Sequence, residues 1–175
     1  MSTYQLRPWH PEDARELFEA VRDPEIARQM PPFRSEAEAR ALIAKFAGSD
    51  DVVAYVISDE SEVVLGGVMA QLNRPMRTAW LSYWLVPDAR GLGLASRGTV
   101  ALANWLFAQG VHRLELGLRL NNPDSRKVAD RAGFIQEGIM REELEYDGVR
   151  YDTALMSRLV SDPVPPTATL PGLEA

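Results

Sequence analysis

The chain contains no cysteine among its 175 residues. That excludes disulfides, thiolate catalysis and cysteine-based metal sites. Histidine is nearly missing as well, with only His10 and His112 present. Two imidazoles are too few for an ordinary zinc centre, so no metal is expected. No stretch is long and apolar enough to span a membrane. The N-terminus lacks a basic segment followed by an apolar run, so no signal peptide is expected. Clusters of positive charge are missing too, and the formal net charge is −6. Such a balance favours a cationic small molecule or a basic peptide as partner, and neither nucleic acid nor a membrane. The expectation is a soluble cytoplasmic protein, with monomer and homodimer both open.

What is present describes one domain. Hydrophobic residues make up 46% and charged residues 25% of the chain, an ordinary balance for a packed globular core. Alternation predicts a strand over 4–7. Pro11, with Glu12 and Asp13 in the first turn, predicts a helix that Asp23-Pro24 breaks. Met30, the proline pair Pro31-Pro32 and Phe33 read as a loop. Ser35 and Glu38 have capping-box spacing, so a second helix starts there and ends at Gly48. Strands follow over 52–58, 63–72 and 79–86, with Gly66-Gly67 marking a twist or bulge. A helix is predicted over 94–108 and a strand over 113–118. Asn122 and Pro123 form a cap and first position for a short helix ending before Gly133. Strands over 134–146 and 149–159 are joined at Asp147-Gly148, a strong hairpin signal. Residues 161–175 hold four of the twelve prolines and no periodic pattern. They read as a flexible tail or a surface strap beyond a domain spanning 1–160. The expected fold is mixed α/β: about seven strands, mostly antiparallel, with about four helices.

The most informative segment is Val86-Pro87-Asp88-Ala89-Arg90-Gly91-Leu92-Gly93-Leu94-Ala95, between an apolar strand and an apolar-striped helix. Glycines there let several backbone N–H groups converge at a helix start, where donors are unpaired and the dipole is positive. A pyrophosphate suits such a place, and Arg90 and Arg97 add positive charge. A glycine-rich turn with no ligand is the plain alternative. A Walker A loop is excluded, because no Lys-Ser/Thr pair follows the glycines. A dinucleotide fingerprint fits poorly, because Glu115 stands mid-strand.

Arg90-Gly91-Leu92-Gly93-Leu94-Ala95 resembles the Arg/Gln-x-x-Gly-x-Gly/Ala signature of the GNAT superfamily of N-acetyltransferases. Asn122-Pro123-Asp124-Ser125, followed by Ala129 and Gly133-Phe134, resembles the second signature. Glu137-Gly138, Arg141 and Tyr151-Asp152 are similar to the closing hairpin of the RimJ/RimL-like branch. The resemblance covers most of residues 4–159. It implies a central twisted sheet with a splayed parallel pair and acetyl-CoA as cosubstrate. By the same resemblance, Gly91, Gly93, Leu94 and Ala95 offer amides to the pyrophosphate, with Arg90 beside them. Leu85 and Val86 meet the pantetheine, Asn122 lines the cleft and Ser125 lies near the sulfur. Asn122 and Ser125 have plainer identities too, as helix cap and first-turn residue.

The implied reaction is direct attack of a primary amine on the thioester in a ternary complex. The amine belongs to a protein N-terminus or a small molecule. An alkyl ammonium has a pKa of ~10, so a base must take its proton. Glu143 is the candidate carried forward, beside Glu115, Glu142 and Glu145, all of which also read as surface acids. Ser125 is the candidate acid. Alternation puts Trp80, Ser82 and Trp84 on one side of their strand and Tyr83 on the other. That first side, together with Phe33, is the candidate acceptor wall. Glu142, Glu143, Glu145, Asp147 and Asp152 would steer a cationic acceptor if they rim it. The competing expectation is a non-catalytic acyl-CoA sensor or interaction module of the same fold.

Overall fold

The computed structural model describes residues 3–173. Strand β1 (Tyr4–Pro8) leads through a 3-10 turn at Pro11–Asp13 into helix α1 (Ala14–Ala20). The Asp23-Pro24 break starts a new turn of helix, α2 (Pro24–Ala27). Asp23 caps it by accepting from the Glu25 and Ile26 amides. Among the described residues this raises the helix count to five. Helix α3 (Glu36–Ala47) begins as predicted, with Ser35 accepting from the Glu38 amide. The Glu38 carboxylate reaches back one residue further than a capping box requires, to the Arg34 amide.

Strands β2 (Val52–Asp59), β3 (Val64–Asn73) and β4 (Thr78–Leu85) precede helix α4 (Leu94–Ala108). Strand β5 (Arg113–Arg119), helix α5 (Pro123–Arg131) and strands β6 (Ile135–Tyr146) and β7 (Val149–Leu159) complete the order. The seven strands form one sheet in the order β1-β2-β3-β4-β5-β7-β6. All neighbours are antiparallel except β4 and β5. Asp147 and Gly148 both adopt positive φ, at 53° and 75°, the geometry of the tight hairpin turn expected there.

Alternation along the strands sends apolar side chains to both faces of the sheet. On one face α4 and α5 cover Val68, Ala70, Leu81, Leu114, Leu116 and Met156. On the other, α1, α2 and α3 cover Val56, Val64 and Trp84. The result is three layers around two cores. The register of β2 against β3 slips between Ile57 and Ser58, opposite Gly66, where the glycine pair had suggested a bulge. A Cβ on Gly66 would stand 2.3 Å from the Trp84 carbonyl oxygen. Glycine is therefore what lets β3 lie tight against the end of β4.

Residues 161–173 lie on the domain as a strap. The Pro171 carbonyl accepts from the Leu6 amide at 2.7 Å, and Thr167 Oγ1 donates to the Arg131 carbonyl at 2.7 Å. Leu170 is 2% exposed and joins the core. The described part of this end, expected as a flexible tail or a surface strap, makes these contacts with the domain. Residues 1, 2, 174 and 175 lie outside the described residues.

Gly66→Ala is expected to destabilise the protein by about 3 kcal/mol, the upper range for forced overpacking, because the obstacle is backbone. Chemical denaturation checks this, and an unchanged midpoint would contradict the packing described.

Candidate functional site: a cleft where the parallel pair parts

Strands β4 and β5 are paired over three positions only, Thr78 with Arg113, Ala79 with Leu114 and Trp80 with Glu115. Beyond them the strands diverge. Strand β4 stays with β3 over eight pairs and β5 with β7 over seven. The backbone of β4 past Trp80 therefore has no strand partner on its β5 side, and the gap opens into a cleft of about 470 Å³.

The cleft collects most of the residues singled out from the sequence. Leu85, Arg90, Gly91, Gly93, Leu94 and Ala95 line it from the β4 side, and Asn122 and Ser125 from the α5 side. Gly91 and Gly93 have φ of 80° and 75°, a region costly for residues with a Cβ. Gly93 occupies the N-cap of α4 and brings no capping side chain. The amides of Leu94, Ala95 and Ser96 in the first turn are thus free of intrahelical partners. Arg90, Arg119, Lys127 and Arg131 also line the cleft, against only Glu25 and Asp124 as carboxylates among the described residues. Free amides at a helix start within a cationic rim form a suitable seat for an anionic phosphate group. The residues present therefore fit acetyl-CoA.

Several of these side chains are also tied to structure. Arg90 donates to the Leu85 carbonyl at 3.2 Å and to Asp23 at 3.0 Å, locking the glycine loop to the cap of α2. Burial pushes the Asp23 carboxyl up. The bonds from Arg90 and the Ile26 and Glu25 amides outweigh it, and the group lies below its usual value. Asn122 accepts from the Ser125 amide at 3.0 Å, so its oxygen serves the α5 cap and its NH₂ is left for the cleft. Tyr83 crosses the gap and donates to the Ser125 carbonyl at 3.0 Å. Burial pushes its phenol up to about 12.

Other expected residues stand elsewhere. Val86 does not line the cleft, and its amide is bonded to the Leu65 carbonyl at 2.9 Å. Glu143 is exposed on β6, accepts from Thr153 Oγ1 and lines neither this cleft nor the cavity described next. Trp80 is at the closed end of the gap, packed over Gly117, and lines neither space. Phe33 packs against the α1–α3 core instead. Most of the hairpin acids are engaged as well. Asp147 pairs with Arg28, Glu145 with Arg150, and Asp152 accepts from the Glu142 amide. Glu25, Gln29, Tyr83 and Arg119 were not foreseen. Glu25 follows the Asp23-Pro24 break, where no helix was predicted, and its pairing with Arg119 holds it at the cleft.

A second cavity of about 620 Å³ lies on the other sheet face, beneath α3. Ser82 and Trp84 line it, as do Met30 and Pro31 from the loop that was expected to wall an acceptor site. Trp84 and Gln29 line both spaces.

A family model described as "Acetyltransferase (GNAT) domain" matches residues 4–135. The chain belongs to the GNAT acetyltransferase family. It is similar to the probable N-acetyltransferase YjcK of Bacillus subtilis (strain 168), with 26% identity over 109 residues, 62% of this chain and 60% of that protein. It is also similar to a ribosomal-protein-serine acetyltransferase of Escherichia coli (strain K12), 30% identical over 108 residues, 61% of this chain and 60% of the relative. The matched part thus spans about 60% of the length of these two curated relatives. Among solved structures, spermidine N-acetyltransferase from Vibrio cholerae in complex with CoA and spermine superposes with a TM-score of 0.82. That match has 22% identity and covers 91% of this chain and 97% of that one. It establishes the shared fold.

Two outcomes are expected at this site. Gly93→Asp places a negative charge beside the free amides and should weaken acetyl-CoA binding at least tenfold, roughly the ~1.4 kcal/mol that one ill-placed charge costs. Gly93→Ala should show only the backbone cost. Calorimetry on the folded variants checks both. The second outcome concerns Tyr83. A phenol whose folded pKa is raised above ~10 supports the fold fully below that pH and loses its contribution as pH climbs towards about 12. Melting temperature should therefore fall faster above pH ~10 in the parent than in Tyr83→Phe.

Proposed function

We propose that this protein is an N-acetyltransferase that uses acetyl-CoA and delivers the acetyl group to a primary amine. The observation that carries the reading is the parting of β4 from β5 directly beside the uncapped start of α4. One opening thereby joins unpaired strand backbone, free helix amides and a cationic rim. When bound, acetyl-CoA supplies an acetyl group activated as a thioester. The amides of Leu94, Ala95 and Ser96, with Arg90, Lys127 and Arg131 around them, would hold its anionic end. The unpaired backbone of β4 beyond Trp80 offers donors and acceptors to an amide-bearing arm and a donor for a developing oxyanion.

Proton handling falls to two groups. Ser125 is the proton donor on the α5 wall, its backbone fixed on both sides by Asn122 and Tyr83. Glu25 is the carboxylate we assign to receive the amine proton, directly or through a water. Glu25 is itself bonded to Arg28 and Arg119, and it is chosen over the other cleft carboxylate, Asp124, because the Asp124 side chain is 88% exposed against 44% for Glu25. Tyr83 stays a neutral phenol through the working range and contributes position, not charge. The acceptors named for the relatives include a ribosomal protein and spermidine. A RimJ/RimL-like acceptor, a protein N-terminal amine or a small amine, is in keeping with both.

Ser125→Ala should lower kcat by ~10–100-fold, the usual worth of a positioned acid, with acetyl-CoA affinity little changed. Release of free CoA measures the rate. Parent-like turnover would remove Ser125 from the mechanism, and tight acetyl-CoA binding without transfer to any amine would overturn the enzyme reading.

A further inference from the structure

The cavity beneath α3 has a chemistry of its own. Its floor is the sheet face built by Ala54 of β2, Gly67 and Met69 of β3, and Ser82 and Trp84 of β4. These positions share one face because Ala54 pairs with Met69, Met69 with Ser82, and Gly67 with Trp84. Small residues at 54 and 67 leave the volume. A Cβ on Gly67 would touch both Trp84 and Trp9, at 3.0 and 3.4 Å. Trp9 stacks on Trp84 with centroids 6.3 Å apart and planes 26° from parallel. Phe46 of α3 and Met30 close the walls.

Charge is the deciding feature. Among the described residues lining this cavity, Lys45 is the single charged side chain, and no carboxylate is present. A body carrying further ammonium groups would be buried there against apolar walls with no counter-ion, a costly arrangement. Lys45 would add repulsion. An apolar, ring-sized body meets no such cost. Trp84 and Gln29 line both this cavity and the cleft, so the two spaces share a wall at these residues.

We propose that the Trp9–Trp84–Phe46 cavity is the acceptor-body pocket, and that it takes a primary amine carried on an aromatic or apolar body without a second cation. This rests on the acetyl-transfer reading and deepens it. It departs from the cationic acceptor that net charge suggested, because none of the hairpin acids thought to attract such a molecule lines this cavity. It also sets the chain apart from the polyamine named for its structural neighbour.

The test compares 4-phenylbutylamine with spermidine as acceptors. With no cysteine in the chain, released CoA thiol can be read without a protein background. The expected result is a kcat/KM at least about tenfold higher for 4-phenylbutylamine. Ala54→Leu, which fills the floor of the cavity, should raise the KM for that amine about tenfold while acetyl-CoA affinity stays within about twofold. Lys45→Glu is on the exposed rim and spares the core. It should narrow the preference over spermidine, and it serves if Ala54→Leu does not fold. Equal or better use of spermidine would overturn the pocket assignment while leaving acetyl transfer in place. A folded Ala54→Leu with unchanged KM would do the same. Binding is followed separately by tryptophan fluorescence, since Trp9 and Trp84 line the cavity. Saturable quenching by 4-phenylbutylamine that Ala54→Leu abolishes, without CoA release, would uphold the pocket and overturn acetyl transfer. Neither quenching nor transfer would overturn the pocket.

Discussion

Everything functional in this molecule depends on the loss of hydrogen bonding between two parallel strands after three residue pairs. A continuous ladder would bury the backbone of β4 and leave no entry between α4 and α5. The divergence is enforced from both sides. Strand β4 is bound to β3 along its whole length, helped by the side-chain-free surface of Gly66 and Gly67, and β5 is bound equally fully to β7. The ordinary twist of a sheet then carries each strand away with its own partner. Trp80, packed over Gly117, marks the point where pairing stops. Tyr83 holds the far wall at a set distance by its bond to the Ser125 carbonyl.

The two cores divide the work. The face under α4 and α5 is filled with aliphatic side chains and holds the glycine loop and the α5 cap in fixed relation. The face under α1, α2 and α3 is less completely filled, and it is there that the second cavity opens. Arg90 links the two layers, since one guanidinium touches both the end of β4 and the Asp23 cap of α2. Glu25, Arg28 and Arg119 extend that link to the hairpin. Arg28 pairs with Asp147, and Arg119 lies over the rings of Tyr146 and Tyr151, 5.5 Å from each centroid. The short helix α2 is therefore a junction between cleft, cavity and hairpin.

Much of this was legible in the sequence, for identifiable reasons. Caps at Ser35 and Asn122, the Asp147-Gly148 turn and the apolar stripe of α4 are local signals, and local signals fixed most element boundaries closely. The glycine loop was legible because backbone geometry there is written in residue type. Helix α2 was not, because Asp-Pro both ends one helix and opens another. The acceptor wall was half legible. Alternation correctly grouped Trp80, Ser82 and Trp84 on one face, yet could not say that Trp80 lies at the closed end of the gap. Glu143 was read as a candidate base, and it stands on an exposed edge strand away from both spaces. Glu25 carried no distinguishing mark, since its position comes from contact with Arg119, 94 residues away.

The strap formed by residues 161–173 bears on how the molecule behaves in company. Strand β1 is one margin of the sheet, and an uncovered margin is a template onto which another chain can add a strand. The Pro171 carbonyl takes the Leu6 amide, and Gly172 presses so close to the Leu6 carbonyl that no larger residue fits. The opposite margin, β6, is guarded differently, by two register irregularities and a run of charged side chains. The strap thus shields one border of the sheet from strand addition at Leu6, by means of a segment whose described residues line neither the cleft nor the cavity.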